Sequence, residues 1–395
     1  MHMITKGDRL VEKKINYQFK VLYVLGIIFV VAGHSSANSG LNIMTNWFHL
    51  YSFHLGIFVF SSGYFYSEKA KDNFFLYMWN KVKRLLVPLY LWNVIYGILV
   101  ILLKAKGFSM GGEFTLRNLL LTPILTGHQF IYNLGGWFIV PLFCVEIFHV
   151  MYKKIFGKVL ACIGGNYFTF VAYLLLGMTG VYFCSKGFNF GWYLVLFRML
   201  IFLPFYAAGN LYRNNIERKD NLRSLYYLGI VFIIQLAIIT RIGYPPYYDW
   251  AFCSNFKDGV ILPYICAFTG IAFWIRIARI ITPILKNNLF MLKIADNTYS
   301  IMLHHLLGIM FAKTLFAIIC KYTKYCHDFD WVSYKTELWW TYFPKGLTQW
   351  GLLYLVFGIM TGLLAGKIER NVVKTAKRLK LIMEEMIYDR KNMAS

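Results

Sequence analysis

Charge is scarce in this sequence. Asp, Glu, Lys and Arg together make 15% of 395 residues, where a soluble domain carries about 25%. No polar stretch is long enough to fold as a soluble domain, which excludes a receptor or sensor built around large extramembrane parts. Internal repeats and low-complexity segments are also missing, so the inverted-repeat plan of many transporters finds no support. Acidic residues are few, 18 against 41 Lys and Arg, for a formal charge of +23. In a soluble protein that excess would point to nucleic acid; here no nucleic-acid partner is expected, because the rest of the composition calls for lipid. The seven cysteines are scattered without the paired spacing of zinc or redox sites, and no metal is expected. Most read as small core residues; Cys253 and Cys326, in loops on one predicted face, are the pair open to a disulfide.

What the chain does have is apolar sequence. Apolar residues fill 58% of it, in blocks of about 17–25 residues, the length that crosses a hydrocarbon core of about 30 Å. Backbone polar groups in lipid must be satisfied within the segment, and the blocks are too long for barrel strands. An all-α, polytopic integral membrane protein is therefore predicted. Helices are placed at 18–36, 47–66, 85–103, 135–152, 167–184, 190–211, 224–241, 259–277, 298–320 and 346–366.

Basic residues test that count, because they concentrate in loops on the cytoplasmic side. Of the 41 Lys and Arg, 29 fall in alternate segments beginning with the N-terminal lead and 10 in the loops between them, with Arg198 and Lys313 inside helices. A missed helix would scramble the alternation. Both termini are thus predicted cytoplasmic, and the chain multi-pass in the plasma membrane. A cleaved signal ending at Ser35-Ser36-Ala37 is the other reading of the start, disfavoured by the polar lead of about twenty residues. Residues 1–366 form one predicted ten-helix domain. The tail 367–395 spaces Val372, Ala376, Leu379, Met383 and Met386 helically among Lys374, Lys377, Arg378 and Lys380, a basic amphipathic anchor for anionic lipid.

Ionisable side chains inside membrane helices are costly, so each is a functional candidate. They are His34, His54, Glu146, His149, Arg198, His304, His305 and Lys313. His34 ends the first helix, where an imidazole can accept a proton near neutral pH; a histidine meeting water at a helix end is the competing reading. His54 lies about two turns into the second helix, on the same side. Glu146 either orients a histidine or pairs with Arg198. Aromatic residues of the loops 104–134 and 321–345, among them Phe130, Tyr132, Trp331, Trp339 and Trp340, belong to an interfacial belt or line a sugar site.

Several segments, in order, resemble the membrane-bound acyltransferase family 3, especially its fucose 4-O-acetylase-like branch. They are Val30-Val31-x-Gly33-His34, Ser52-Phe53-His54 with Ser62-Gly63-Tyr64-Phe65, Lys83-Arg84-Leu85-Leu86-Val87-Pro88, Gly136-Trp137-Phe138 with Glu146, Phe205-Tyr206-x-x-Gly209-Asn210, and Asn297-Thr298-Tyr299-Ser300-Ile301-Met302-x-His304-His305. The resemblance implies transfer of an acyl group, usually acetyl from cytosolic acetyl-CoA, to a hydroxyl of a cell-surface or lipid-linked polysaccharide.

It also implies that His34 is the essential histidine of the first helix, the general base of the transfer, with His54 and Glu146 as further catalytic candidates. The basic pair Lys81 and Arg84 is expected to hold the coenzyme A phosphates. The family usually has Arg or Lys eleven residues before the histidine; here that position is Tyr23, and Lys20 is the nearest base. His304 and His305, expected nearer the inner face, are donor-contact candidates, and as neighbours they point different ways, so only one should matter. Ser35, Trp137 and Arg198 are candidate acceptor contacts. A flippase or transporter of lipid-linked sugars, using the same intramembrane polar groups as a path, is the alternative function.

Overall fold

The computed structural model describes residues 15–35, 47–162, 164–323 and 328–393. Ten long helices form the bundle among the described residues: α1 (Tyr17–His34), α2 (Leu50–Tyr64), α3 (Phe74–Lys104), α4 (Leu134–Leu160), α5 (Gly165–Ser185), α6 (Gly191–Lys219), α7 (Ser224–Ile242), α8 (Leu262–Leu285), α9 (Thr298–Tyr322) and α10 (Gly351–Met393). Nine among the described residues are long and apolar enough to span a membrane. The exception, α2, has 15 residues, yet both its ends are tied to the ends of α1. The Tyr51 hydroxyl donates to the Gly33 carbonyl at 2.9 Å, and Asn16 donates to the Tyr64 hydroxyl at 3.1 Å. It therefore runs antiparallel to α1 along its whole length. These ties define an N-terminal face, near Asn16 and Tyr64, and a distal face, near His34 and Tyr51.

The predicted helix at 85–103 begins eleven residues earlier, at Phe74, because the helix bends through a wide turn rather than ending. Val87 N–H bonds to the Val82 carbonyl, one residue beyond the α register. Pro88 explains this, since it has no N–H to offer Arg84 and its ring crowds that carbonyl. At the other end of the chain, α10 continues without a break through residue 366 to Met393. Val372, Leu379 and Met383 are exposed along it; the Lys377, Lys380 and Met386 side chains lie outside what is described.

Between helices with no water to expel, close approach of small residues replaces the hydrophobic effect as the packing device. A Cβ on Gly63 would overlap the Tyr206 carbonyl, and one on Gly209 the Phe60 carbonyl, so α2 and α6 cross through two facing glycines. Gly308 and Gly362 play the same part between α9 and α10. The Gly63 and Gly209 segments read from the sequence are thus the two sides of one helix crossing. At the N-terminal face Tyr64 donates to Glu217 at 2.9 Å, Lys20 pairs with Asp296, and Arg276 pairs with Asp220.

Candidate active site

α1 ends at the distal face, and there the His34 ring forms part of the wall of a cavity of about 640 Å³. Tyr51, His54 and Leu55 of α2, Trp137 and Phe138 of α4, and Met302 of α9 contribute its helical lining. Three loops complete it: His128 to Gly135, Tyr247 to Phe252, and Leu338-Trp339. The His34 ring lies between two others, His305 at 4.9 Å and Trp339 at 5.3 Å between centroids, both near-parallel. Its Nδ1 is 2.8 Å from His305 Nε2. Beside this pair the first turn of α4 touches α9 through a glycine. A side chain on Gly135 would strike the Met302 carbonyl and the His305 ring.

His54 also faces the cavity, and its Nδ1 lies 2.6 Å from the Leu50 carbonyl of the preceding turn. A carbonyl only accepts, so that nitrogen carries the hydrogen and Nε2 has the lone pair. His128 stacks on Phe252 at 4.6 Å. Burial and the neighbouring Arg198 charge hold its pKa down to about 4, so the ring is neutral at physiological pH. The cavity thus offers imidazole nitrogens and aromatic faces, with Asp249 its acidic member.

Two loop walls carry strained backbone. Ile131, a β-branched residue lining the cavity, has φ 59°, and Cys253, beside the lining residue Phe252, has φ 47°, conformations costing about 1–3 kcal/mol each. Arg198 ties together the two chain segments that lead into them. Its Nε donates to the Ala251 carbonyl at 2.8 Å, Nη2 to the same oxygen and to Thr126 at 3.2 Å, and Nη1 to Leu125 and Thr126, both at 3.3 Å. Its guanidinium also sits 4.7 Å over the Trp137 ring.

This corrects the expected pairing of Glu146 with Arg198 or with a histidine. Glu146 instead accepts from Lys81 at 2.7 Å. Arg198 stands two turns from the distal start of α6, with every donor spent on loop carbonyls. Glu146 lies about 13 Å along α4 from Trp137, toward the N-terminal face, where the bent start of α3 brings Lys81 alongside. Arg84 is exposed at that face, and Lys20 is paired with Asp296. Tyr23 stacks on Phe58 at 6.2 Å.

The two neighbouring histidines point different ways. His305 lies against His34 at the cavity, where the end of α1 meets α9 about two turns in from Thr298. His304 points the other way: its Nδ1 is 2.7 Å from the Tyr96 hydroxyl and its Nε2 3.6 Å from Glu369, in a separate groove between α3, α9 and α10. Ser35 is buried and donates back to the Ala32 carbonyl at 3.2 Å, outside the cavity lining. Of the loop aromatics, Trp339 reaches the cavity, while Trp340 packs on Phe329 and Tyr342. Cys253 is a buried free thiol, and Cys326 lies outside the described residues.

His128, Gly135, Tyr247, Asp249 and Trp250 carry no signal of periodicity or spacing; they come from loops far apart in sequence. The Gly127-His128 and Asp249-Trp250 pairs, polar residues beside turn or aromatic residues in otherwise lipid-facing sequence, are the trace they leave.

The described residues form a helical membrane bundle with a histidine-bearing cavity toward one face and basic residues at the other. Residues 16–366 match the acyltransferase family 3 domain, and the chain belongs to that family of membrane acyltransferases. No curated protein and no solved structure matches the chain.

Proposed function

We propose that the protein transfers an acyl group, acetyl first among them, from cytosolic acyl-CoA to a hydroxyl of a cell-surface or lipid-linked polysaccharide, with His34 as general base. The observation that carries this reading is the position of His34, whose ring borders a 640 Å³ cavity walled by Tyr51, Trp137, Tyr247, Trp250 and Trp339. Aromatic faces suit the apolar faces of sugar rings, and Asp249 and His54 can accept from their hydroxyls. The basic excess on the N-terminal side supports a cytoplasmic placement of that face in the plasma membrane. Lys81 and Arg84 there suit the phosphates of coenzyme A.

In the reaction, the acceptor oxygen forms a bond to the acyl carbon as the carbon–sulfur bond of the thioester breaks. The hydroxyl proton passes to His34 and from it to the departing thiolate, giving the ester and free coenzyme A. Positioned proton transfer of this kind contributes roughly 10²–10⁴-fold.

The test is mass spectrometry of the surface glycan from cells with the wild-type gene, without it, and with His34→Ala. Loss of one acyl mass in both altered strains, with the variant protein present in the membrane, is the expected result. Glycan acylation that survives His34→Ala overturns the base assignment. No mass difference on deleting the gene overturns the glycan acceptor.

A further inference from the structure

We propose that His305 is the positioning residue for His34, fixing the tautomer in which His34 acts as a base; this rests on the reading of His34 given above. Hydrogen-bond donors and acceptors fix the tautomer of both rings. His305 Nδ1 lies 2.8 Å from the Met302 carbonyl and 3.2 Å from the Ile301 carbonyl, both on the preceding turn of α9. Carbonyl oxygens only accept, so Nδ1 carries the hydrogen, and in the neutral ring Nε2 is left with its lone pair. That Nε2 faces His34 Nδ1 at 2.8 Å. His34 must therefore donate from Nδ1, which places its own lone pair on Nε2.

The chain of constraints runs from two backbone oxygens through one imidazole to the next. It needs no carboxylate, the group that does this work beside the histidine of a serine protease. Gly135 lets the first turn of α4 pack against Met302 and the His305 ring, where any side chain would meet both. His305 is buried, whereas His34 borders the cavity, so His305 touches the reaction only through His34. When His34 takes the acceptor proton on Nε2, its Nδ1 hydrogen remains shared with His305, and the positive charge spreads over two rings instead of one.

The experiment compares His305→Leu with His305→Gln in full-length protein in membranes, following incorporation of labelled acetyl from acetyl-CoA into surface glycan. Leucine keeps apolar bulk but accepts nothing. Glutamine reaches the place of Nε2 with its Oε1 and accepts from His34. The expected result is a fall in kcat of about 10²-fold for leucine, the lower range for a positioned base, with the KM for acetyl-CoA within about twofold, and recovery to within about tenfold of wild type by glutamine. Should the leucine variant fail to fold, His305→Asn, whose amide is too short to reach His34, takes its place in the comparison. Leucine and glutamine variants that are both fully active, or equally impaired while correctly folded, overturn the proposal. His34→Gln is assayed alongside: if it is active, the base assignment itself falls, and if it is dead while the His305 variants are unaffected, only the positioning role falls.

Discussion

Replacing Arg198 by Met separates a clamp from a substrate contact. The guanidinium donates to three backbone carbonyls, at Leu125, Thr126 and Ala251, which belong to two loops of the cavity wall. Methionine fills a similar space but donates nothing. Each carbonyl left unsatisfied in a buried site costs about 1–3 kcal/mol, and loss of the contact over Trp137 adds about 0.5–2 kcal/mol. Removing a buried charge returns part of this, and the loops can relax, so the expected net loss is about 3 kcal/mol. The strained backbone at Ile131 and Cys253 should relax with them, since about 1–3 kcal/mol of strain per residue is held only while the loops are clamped. The assay is thermal unfolding of purified protein in detergent, followed by tryptophan fluorescence, together with limited proteolysis of the 243–261 loop. A clearly lower midpoint and faster cleavage are expected, with Arg198→Lys intermediate because its ammonium cannot span both loops. An unchanged midpoint with a raised acceptor KM would refute the reasoning and make Arg198 a substrate contact.

Lys81→Met strands Glu146, whose side chain is 4% exposed, and should destabilise toward the lower end of the about 3–5 kcal/mol for a broken buried pair, because Lys81 is itself partly in solvent. Adding Glu146→Leu should recover much of the loss, and a single variant that melts like wild type would show that the pair is not coupled. His128 has its pKa lowered to about 4 by burial, so between about pH 6.5 and 4 the unfolded chain binds a proton that the folded one does not, and stability falls with pH across that window. His128→Phe, which keeps the stack on Phe252, should flatten the melting midpoint between pH 7 and 5; an unchanged slope would remove His128 as its source.

The bundle was legible because its causes are local. Span length and apolar blocks are each read within about twenty residues, and they yield the nine membrane-length helices among the described residues, with the shorter α2 packed beside α1. The site was legible only in part. His34 and His54 sit at helix ends in segments whose pattern points to them, and both face the cavity. Glu146 and Arg198 were drawn to each other by a depth argument that treats helices as parallel rods. Depth alone ignores which partners the loops offer. Arg198 meets backbone carbonyls, which no side-chain pattern encodes, and Glu146 meets a lysine placed there by the bend before Pro88. The pairing of His34 with His305, 271 residues apart, depends on a crossing angle.

A neutral histidine pair also suits where the site lies. A carboxylate beside His34 would need its charge held in a low-dielectric site before any substrate arrived, at a cost of several kcal/mol that geometry must offset. Two neutral imidazoles carry no such cost in the resting state. Under the proposed mechanism charge appears only as the acceptor hydroxyl gives up its proton, and at that moment the paired ring stabilises it. An interaction that strengthens in the transition state and is weak before it raises kcat rather than merely tightening binding. Asp249 is the exception that carries a charge, and its Oδ1 already accepts from the Ala251 and Phe252 N–H groups at 3.0 and 3.1 Å; under the proposed reaction, a carboxylate satisfied by backbone in this way suits the orienting of an acceptor hydroxyl.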